Sequence, residues 1–165
     1  AAMAYYAGVS AEKIRQVACG FSGVEHRIEY VTEKNGVRYY NDSKGTNPDA
    51  AIKGIQAMVR PTLLIGGGYD KQSTYGEWID SFEGKVKYLV LIGATREKIA
   101  AEAKAHGFPG ERILFCENLE QAVNACAAHA EPGEAVLLSP ACASWDQFKS
   151  YEQRGDLFKE YVRAL

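Results

Sequence analysis

The sequence predicts an open, doubly wound α/β fold with a mainly parallel sheet and an N-terminal hairpin strand. Three observations carry that expectation. From residue 62 onward, strand-sized apolar runs alternate with stretches of helical period. Runs such as Tyr88-Leu89-Val90-Leu91-Ile92 and Ala135-Val136-Leu137-Leu138 lack the in/out alternation of a half-wet sheet, so both faces should be covered by helices. A chain of 165 residues, 47% hydrophobic and 24% charged, has the size and composition of one ordinary globular domain.

Taken in order, the first segment reads as a helix capped by Ser10, with Ile14, Val17, Ala18 and Phe21 spaced as one buried face. Gly20-Phe21-Ser22-Gly23 breaks that pattern. A hairpin follows: Arg27 to Thr32 and Val37 to Asn41 are β-rich and joined through Lys34-Asn35-Gly36, where Asn-Gly signals a tight turn. Asn47 caps the next helix, with Pro48 at its first position, to about Met58. Strand and helix then alternate: Thr62–Ile65 with Glu77–Phe82, Val86–Ile92 with Arg96–His106, Ile113–Phe115 with Leu119–His129, and Ala135–Leu138 with about Asp156–Ala164.

Several function classes drop out. Nineteen basic against 21 acidic residues leave a net charge of -2, which argues against a basic nucleic-acid footprint. No apolar run approaches the roughly 18 residues of a membrane helix. The start, Ala1-Ala2-Met3-Ala4-Tyr5-Tyr6, has no basic region and does not read as a signal peptide. Opening with Ala in mid-pattern, the chain is expected to be a piece of a longer polypeptide. Cys19, Cys116, Cys126 and Cys142 are scattered, as are His26, His106 and His129. Free thiols of a reducing compartment are expected, and no metal site is proposed.

Open α/β sheets bind ligands beyond the carboxyl ends of their strands, so the loops after Asn41, Ile65, Ile92 and Leu138 are the places to look. The run Asn41-Asp42-Ser43-Lys44-Gly45-Thr46-Asn47-Pro48 joins a carboxylate, an ammonium, hydroxyls and a helix N-terminus. It is either an anion site, with Lys44 for a phosphate and Asp42 for a ribose hydroxyl or metal-bound water, or a well-capped polar loop. The run Ile65-Gly66-Gly67-Gly68-Tyr69-Asp70-Lys71 lets backbone approach a ligand closely, yet matches neither a Walker A motif nor a dinucleotide fingerprint. In Ser139-Pro140-Ala141-Cys142-Ala143-Ser144-Trp145-Asp146, small residues suit a tight pocket floor with Ser144 as donor. Cys142 reads as a packed thiol, not a nucleophile, and Trp145, Phe148 and Tyr151 as packing.

Together, Asp42-Ser43-Lys44-x-Thr46-Asn47-Pro48, Gly66-Gly67-Gly68-x-Asp70-Lys71 and Ser139-Pro140-Ala141-Cys142-Ala143-Ser144-Trp145-Asp146 resemble, in motif and order, the Mur ligases. The tail Phe148-Lys149-x-Tyr151-Glu152-x-Arg154-Gly155-Asp156-Leu157-Phe158 is similar as well. The resemblance covers nearly the whole chain, and the Ser-Pro-Ala-Cys-Ala-Ser string is its most specific part. It departs mildly at Gly45, where alanine is common, and at Tyr151, often phenylalanine.

The resemblance implies a Rossmann-like C-terminal domain over residues 24–165, preceded by residues 1–23 as the tail of a central ATP-binding domain. It implies a cytoplasmic enzyme of peptidoglycan synthesis using ATP and Mg2+, the metal bound mainly by the central domain. In such an enzyme the carboxylate of UDP-N-acetylmuramoyl-L-alanine becomes an acyl phosphate, which the amine of D-glutamate attacks. By the same resemblance, Thr46, Lys71, Ser144, Trp145 and Tyr151 belong to the D-glutamate site, and Arg27, Asp42 and Lys44 to the nucleotide site. A monomer is expected, with neither nucleic acid nor membrane as partner, and this segment alone should not turn over. A sister ligase for another amino acid, of muramoyl-tripeptide or folylpolyglutamate type, and a stand-alone nucleotide-binding module are the alternatives.

Overall fold

The computed structural model describes residues 1–21 and 23–165. Strands β1 (Glu29–Lys34), β2 (Val37–Asn41), β3 (Thr62–Gly67), β4 (Val86–Ile92), β5 (Ile113–Phe115) and β6 (Ala135–Leu138) form one sheet. Their order is β1-β2-β6-β3-β4-β5. Only the β1–β2 pair is antiparallel among these; β2–β6, β6–β3, β3–β4 and β4–β5 are parallel. The helices are α1 (Ala2–Tyr6), α2 (Ala11–Gly20), α3 (Pro48–Gln56), α4 (Gly76–Asp80), α5 (Arg96–Ala105), α6 (Leu119–His129) and α7 (Tyr151–Ala164). The doubly wound, mainly parallel architecture expected from the sequence is the one observed.

Both sheet faces are apolar, and that is why the strands showed no polar alternation. On one face Leu64, Leu89, Leu91 and Leu137 pack with Ile55 of α3, Trp78 of α4 and Ile99 of α5. On the other, Leu63, Ile65, Val90, Val136 and Leu138 pack with Leu119 and Val123 of α6 and with Phe158 and Val162 of α7. The strand period of two is intact, but it sorts residues between two dry layers. Parallel pairing levels Asn41, Leu138 and Ile65 with one another, so the loops that follow leave the same edge side by side.

Local signals explain the elements and their boundaries. Asn35 (φ 52°) and Gly36 (φ 78°) supply the two left-handed residues of the hairpin turn. Strand β1 begins at Glu29, two residues later than expected, because His26 (φ 62°) and Ile28 (φ 47°) bend the chain. The Glu29 carboxylate braces that bend by accepting from the His26 amide at 3.0 Å. Asn47 caps α3, accepting from the Ala50 amide at 2.9 Å. The helix expected to end at Phe82 stops at Asp80, ahead of left-handed Glu83 and Gly84.

Two expectations need correction. Ser10 does cap α2, but the stripe of Ile14, Val17, Ala18 and Phe21 is not a buried face: Val17 is 72% and Phe21 66% exposed. Periodicity reports that a face is apolar, not that it is covered, and no residue of α2 is buried. The break expected over residues 20–23 includes Ser22, which lies outside the described residues. Helix α7 also starts at Tyr151, well before Asp156, with Ser150 as its cap. Its interior Gly155 looks like a breaker in sequence but is a packing requirement, since a Cβ there would overlap the His26 ring at Nδ1.

Gly155→Ala therefore inverts the usual helix ranking. Instead of gaining up to ~1 kcal/mol of helix propensity, it should lose about 1–3 kcal/mol through overpacking, read as a lower urea midpoint at unchanged m-value.

Candidate functional site

The loop after β2 is built around an inward carboxylate. Asp42 is 5% exposed. Its Oδ2 accepts from the Ser139 hydroxyl at 2.7 Å and its Oδ1 from the Ile28 amide at 3.3 Å. Burial pushes its pKa up to about 6, against the opposing effect of those hydrogen bonds. Asp42 thus ties β2 to the hairpin entry and to the loop after β6. Each Asp42 oxygen thus accepts one hydrogen bond from within the fold, and the carboxylate expected to face a ribose hydroxyl or metal-bound water is turned inward. Arg27 is exposed beside this loop, close enough for its charge to act on Asp42.

Two residues on, Lys44 turns toward α7. Its Nζ donates to the Tyr151 hydroxyl at 2.8 Å and lies 4.6 Å from the ring centroid. The same helix sends Arg154, fully buried, back between the loops. Its Nε donates to the Ser43 hydroxyl at 3.0 Å, Nη2 to the Ser43 carbonyl at 2.8 Å, and Nη1 to the Cys142 carbonyl at 3.2 Å. The Ser43 hydroxyl in turn donates to the Tyr151 carbonyl at 2.7 Å. Burial draws the Arg154 pKa down to about 10, which leaves it charged at neutral pH.

The glycine run that ends β3 approaches protein, not an open ligand space. A Cβ at Gly67 would overlap the Ile92 carbonyl, and one at Gly68 the Ala143 carbonyl. Thr95 Oγ1 donates to the Gly68 carbonyl at 3.1 Å, and the Tyr69 amide to the Ala143 carbonyl at 2.9 Å. Beyond this packed segment, Asp70 accepts from the Gln72 amide at 2.7 Å and pairs with Lys98 at 3.3 Å. Lys71, next to it, sits 5.0 Å from the Trp145 ring centroid. The loop after β6 is fastened by Asp146, which accepts from the Ala94 amide at 3.0 Å. Cys142 is buried between Tyr75 (3.1 Å) and Thr95 (3.3 Å), and burial raises its thiol pKa, as suits an inert packed thiol.

These loops meet at one cavity of about 250 Å³ lined by Thr46, Lys71, Ala143, Ser144, Trp145, Ser150, Tyr151 and Glu152. All five residues assigned by resemblance to an amino-acid site line it. Lys44 reaches it through Tyr151, whereas Arg27 and Asp42 do not line it. Sequence reasoning missed Glu152 and Arg154. Arg154, Phe158 and Val162 fall at i, i+4 and i+8 of α7, so an arginine on an apolar stripe was the available signal. It also missed a clustering of Glu25, His26 and Asp156, whose ligand atoms lie within 4.8 Å of one another. A cation is already there: Lys159 reaches Glu25 at 2.5 Å and Asp156 at 3.1 Å.

Two stability effects follow from the tied loops. Between about pH 4 and 6 the folded protein holds the Asp42 proton more tightly than the unfolded chain does, so stability should fall as pH rises through that window. Asp42→Asn, which mimics the protonated form, should flatten that slope by about 2 kcal/mol in urea titrations at successive pH values. Arg154→Met strands the carbonyls of Ser43 and Cys142 and should lower stability by about 2–4 kcal/mol at pH 7 in the same assay.

Known proteins similar to this chain form a coherent set. The chain is 63% identical over 152 residues to a UDP-N-acetylmuramoylalanine--D-glutamate ligase from Lachnoclostridium phytofermentans, covering 92% of this chain and 33% of that protein. It is 56% identical to the ligase of the same name from Lachnospira eligens, covering 99% and 36%. The chain therefore spans about a third of the length of these curated relatives. Among solved structures, a bifunctional folylpolyglutamate synthase/dihydrofolate synthase from Yersinia pestis shares the fold at a TM-score of 0.61 and 16% identity, covering 92% of this chain and 34% of that one. MurF ligase from Thermotoga maritima, solved with ADP, does so at 0.52 and 15%, covering 92% and 36%. The family model described as Mur ligase, glutamate ligase domain, matches residues 26–142, from the bend before β1 to the loop after β6, and the chain belongs to that family.

Proposed function

We propose that this chain is the amino-acid-accepting domain of an ATP-dependent ligase that joins D-glutamate to UDP-N-acetylmuramoyl-L-alanine in peptidoglycan synthesis. The observation that carries the reading is the convergence of Thr46, Lys71, Ser144, Trp145 and Tyr151, from three strand-end loops and the start of α7, on one cavity. Its chemistry suits a dicarboxylic amino acid. Lys71 provides a cation, the hydroxyls of Thr46, Ser144 and Tyr151 provide donors, and Trp145 and Tyr151 provide walls that exclude water. Holding the acceptor in one pose beside an activated carboxylate replaces a bimolecular encounter by an oriented one. The curated relatives named for this D-glutamate ligation support the choice of amino acid.

On the nucleotide side, Lys44 and Arg27 are cations at the same sheet edge and fit a polyphosphate, which the ADP in the MurF structure also supports. When bound, ATP supplies the phosphoryl group that activates the acyl carboxylate. Asp42 orients the Lys44 loop from beneath. Because its carboxylate is engaged inside the fold, we assign Mg2+ to ligands outside this chain. A related folylpolyglutamate synthase/dihydrofolate synthase solved with AMPPNP and a Mn ion supports divalent-metal use. Residues 1–23 belong, in this reading, to a preceding ATP-binding domain, since neither α1 nor α2 buries a residue against the sheet domain. The whole enzyme is read as a cytoplasmic monomer. Among the described residues, no helix is long and apolar enough to cross a membrane.

Phosphate release from ATP by the full-length ligase, with UDP-N-acetylmuramoyl-L-alanine present, tests the reading. It should require D-glutamate and fail with L-glutamate or L-lysine; release with another amino acid instead would overturn the assignment. Lys71→Ala should raise the KM for D-glutamate about tenfold or more with little change for ATP, and Lys44→Ala should chiefly raise the KM for ATP.

A further inference from the structure

The cavity contains one charge that a site for two carboxylates does not call for. Glu152 lines it opposite in sign to Lys71, and these are the ionised side chains among the described residues of the lining. We infer that Glu152 receives the ammonium group of the incoming amino acid. The inference rests on the reading of this cavity as the acceptor site and adds to it the group that distinguishes an amino acid from a plain dicarboxylate.

The placement of Glu152 is built, not incidental. Ser150 accepts from the Gln153 amide at 3.3 Å, and the Gln153 side chain accepts from the Lys149 amide at 2.7 Å, which closes the first turn of α7 from both sides. Glu152 sits between those two clamps. Hydrogen bonding from the Tyr151 side chain, and then from Ser150, holds its carboxyl below the usual glutamate range. The Tyr151 hydroxyl accepts from Lys44 at 2.8 Å, and Tyr151 and Glu152 line the same cavity side by side. Lys71 lies across the Trp145 ring.

That arrangement divides the cavity by charge. The cationic and hydroxyl groups suit the two carboxylates of the acceptor, and the Glu152 carboxylate suits its ammonium. A site with cations and hydroxyls alone would hold glutarate, the same dicarboxylate without the amine, as well as it holds glutamate. Glu152 makes the amine itself a condition of tight binding, and so excludes dicarboxylates that occupy the site without being able to react.

An acidic residue in the first turn of a helix also stabilises that helix, and the test separates the two roles. In the full-length ligase, D-glutamate KM and the inhibition constant of glutarate are measured for wild type, Glu152→Gln and Glu152→Asp. Glu152→Gln should raise the D-glutamate KM about 10- to 100-fold, the loss of one charge-assisted contact, while glutarate inhibits equally well or better and the KM for ATP stays within about twofold. Glu152→Asp should restore part of the discrimination. If the Glu152→Gln enzyme is merely less heat-stable and keeps the wild-type ratio of glutarate to D-glutamate affinity, the inference is wrong. Absence of D-glutamate-dependent turnover in the wild-type enzyme would instead sink the underlying reading of the cavity.

Discussion

The site depends on a buried guanidinium that, among the described residues, has no carboxylate in contact. Arg154 is fully buried, and the groups that satisfy it are the hydroxyl and carbonyl of Ser43 and the carbonyl of Cys142. Burying such a charge is costly unless its donors are filled. Here the fixed fork of the arginine turns that cost into geometry. One side chain from α7 sets the spacing between the loop after β2 and the loop after β6, and a lysine could not span both. The nearby carboxylates Asp42 and Asp146 act on it only through their field. Each is itself pinned elsewhere, Asp42 to Ser139 and Ile28, Asp146 to Ala94.

Around that tie, the loops divide their labour by depth. The deep layer, made of Asp42, Ser43, Gly67, Gly68, Cys142 and Arg154, is filled with contacts among the loops themselves. The shallow layer, made of Lys44, Thr46, Lys71, Ser144, Trp145, Tyr151 and Glu152, carries the side chains that line or border the cavity. Adjacent residues therefore do opposite things. Asp42 faces inward while Lys44, two positions on, faces α7. Gly68 packs on a carbonyl while Lys71 reaches Trp145.

Much of this was legible in the sequence, and the failures have a common physical cause. Asn35-Gly36 and Asn47-Pro48 encode their turn and cap locally, so both were read correctly. The apolar strands announced a sheet covered on both sides. Local chemistry could also nominate the three loops, since strand ends are where open sheets present their loops. It could not say which way a polar side chain faces: that Asp42 turns inward depends on Ser139, 97 residues later. Helix α7 starts five residues before its expected boundary, and the Gly155 inside it is explained by His26, far away in sequence. The apolar stripe of α2 shows the same limit from the other side, as a face whose partner no periodicity can supply. Glu152 lay before the helix expected from about Asp156, so nothing in the local pattern marked it.

The position of β6 has a consequence for synthesis. It is the last strand in the chain yet lies between β2 and β3, so until residues 135–138 leave the ribosome those two strands lack their shared neighbour. Each then presents an unpaired, apolar edge, the kind of template on which strands from other chains can add. Helix α7, which covers one face and carries Arg154, arrives later still. Vectorial synthesis therefore exposes this domain to intermolecular pairing through most of its length, and its protection arrives in two late steps, with β6 and then α7. Shielding of those edges during translation is what this strand order calls for.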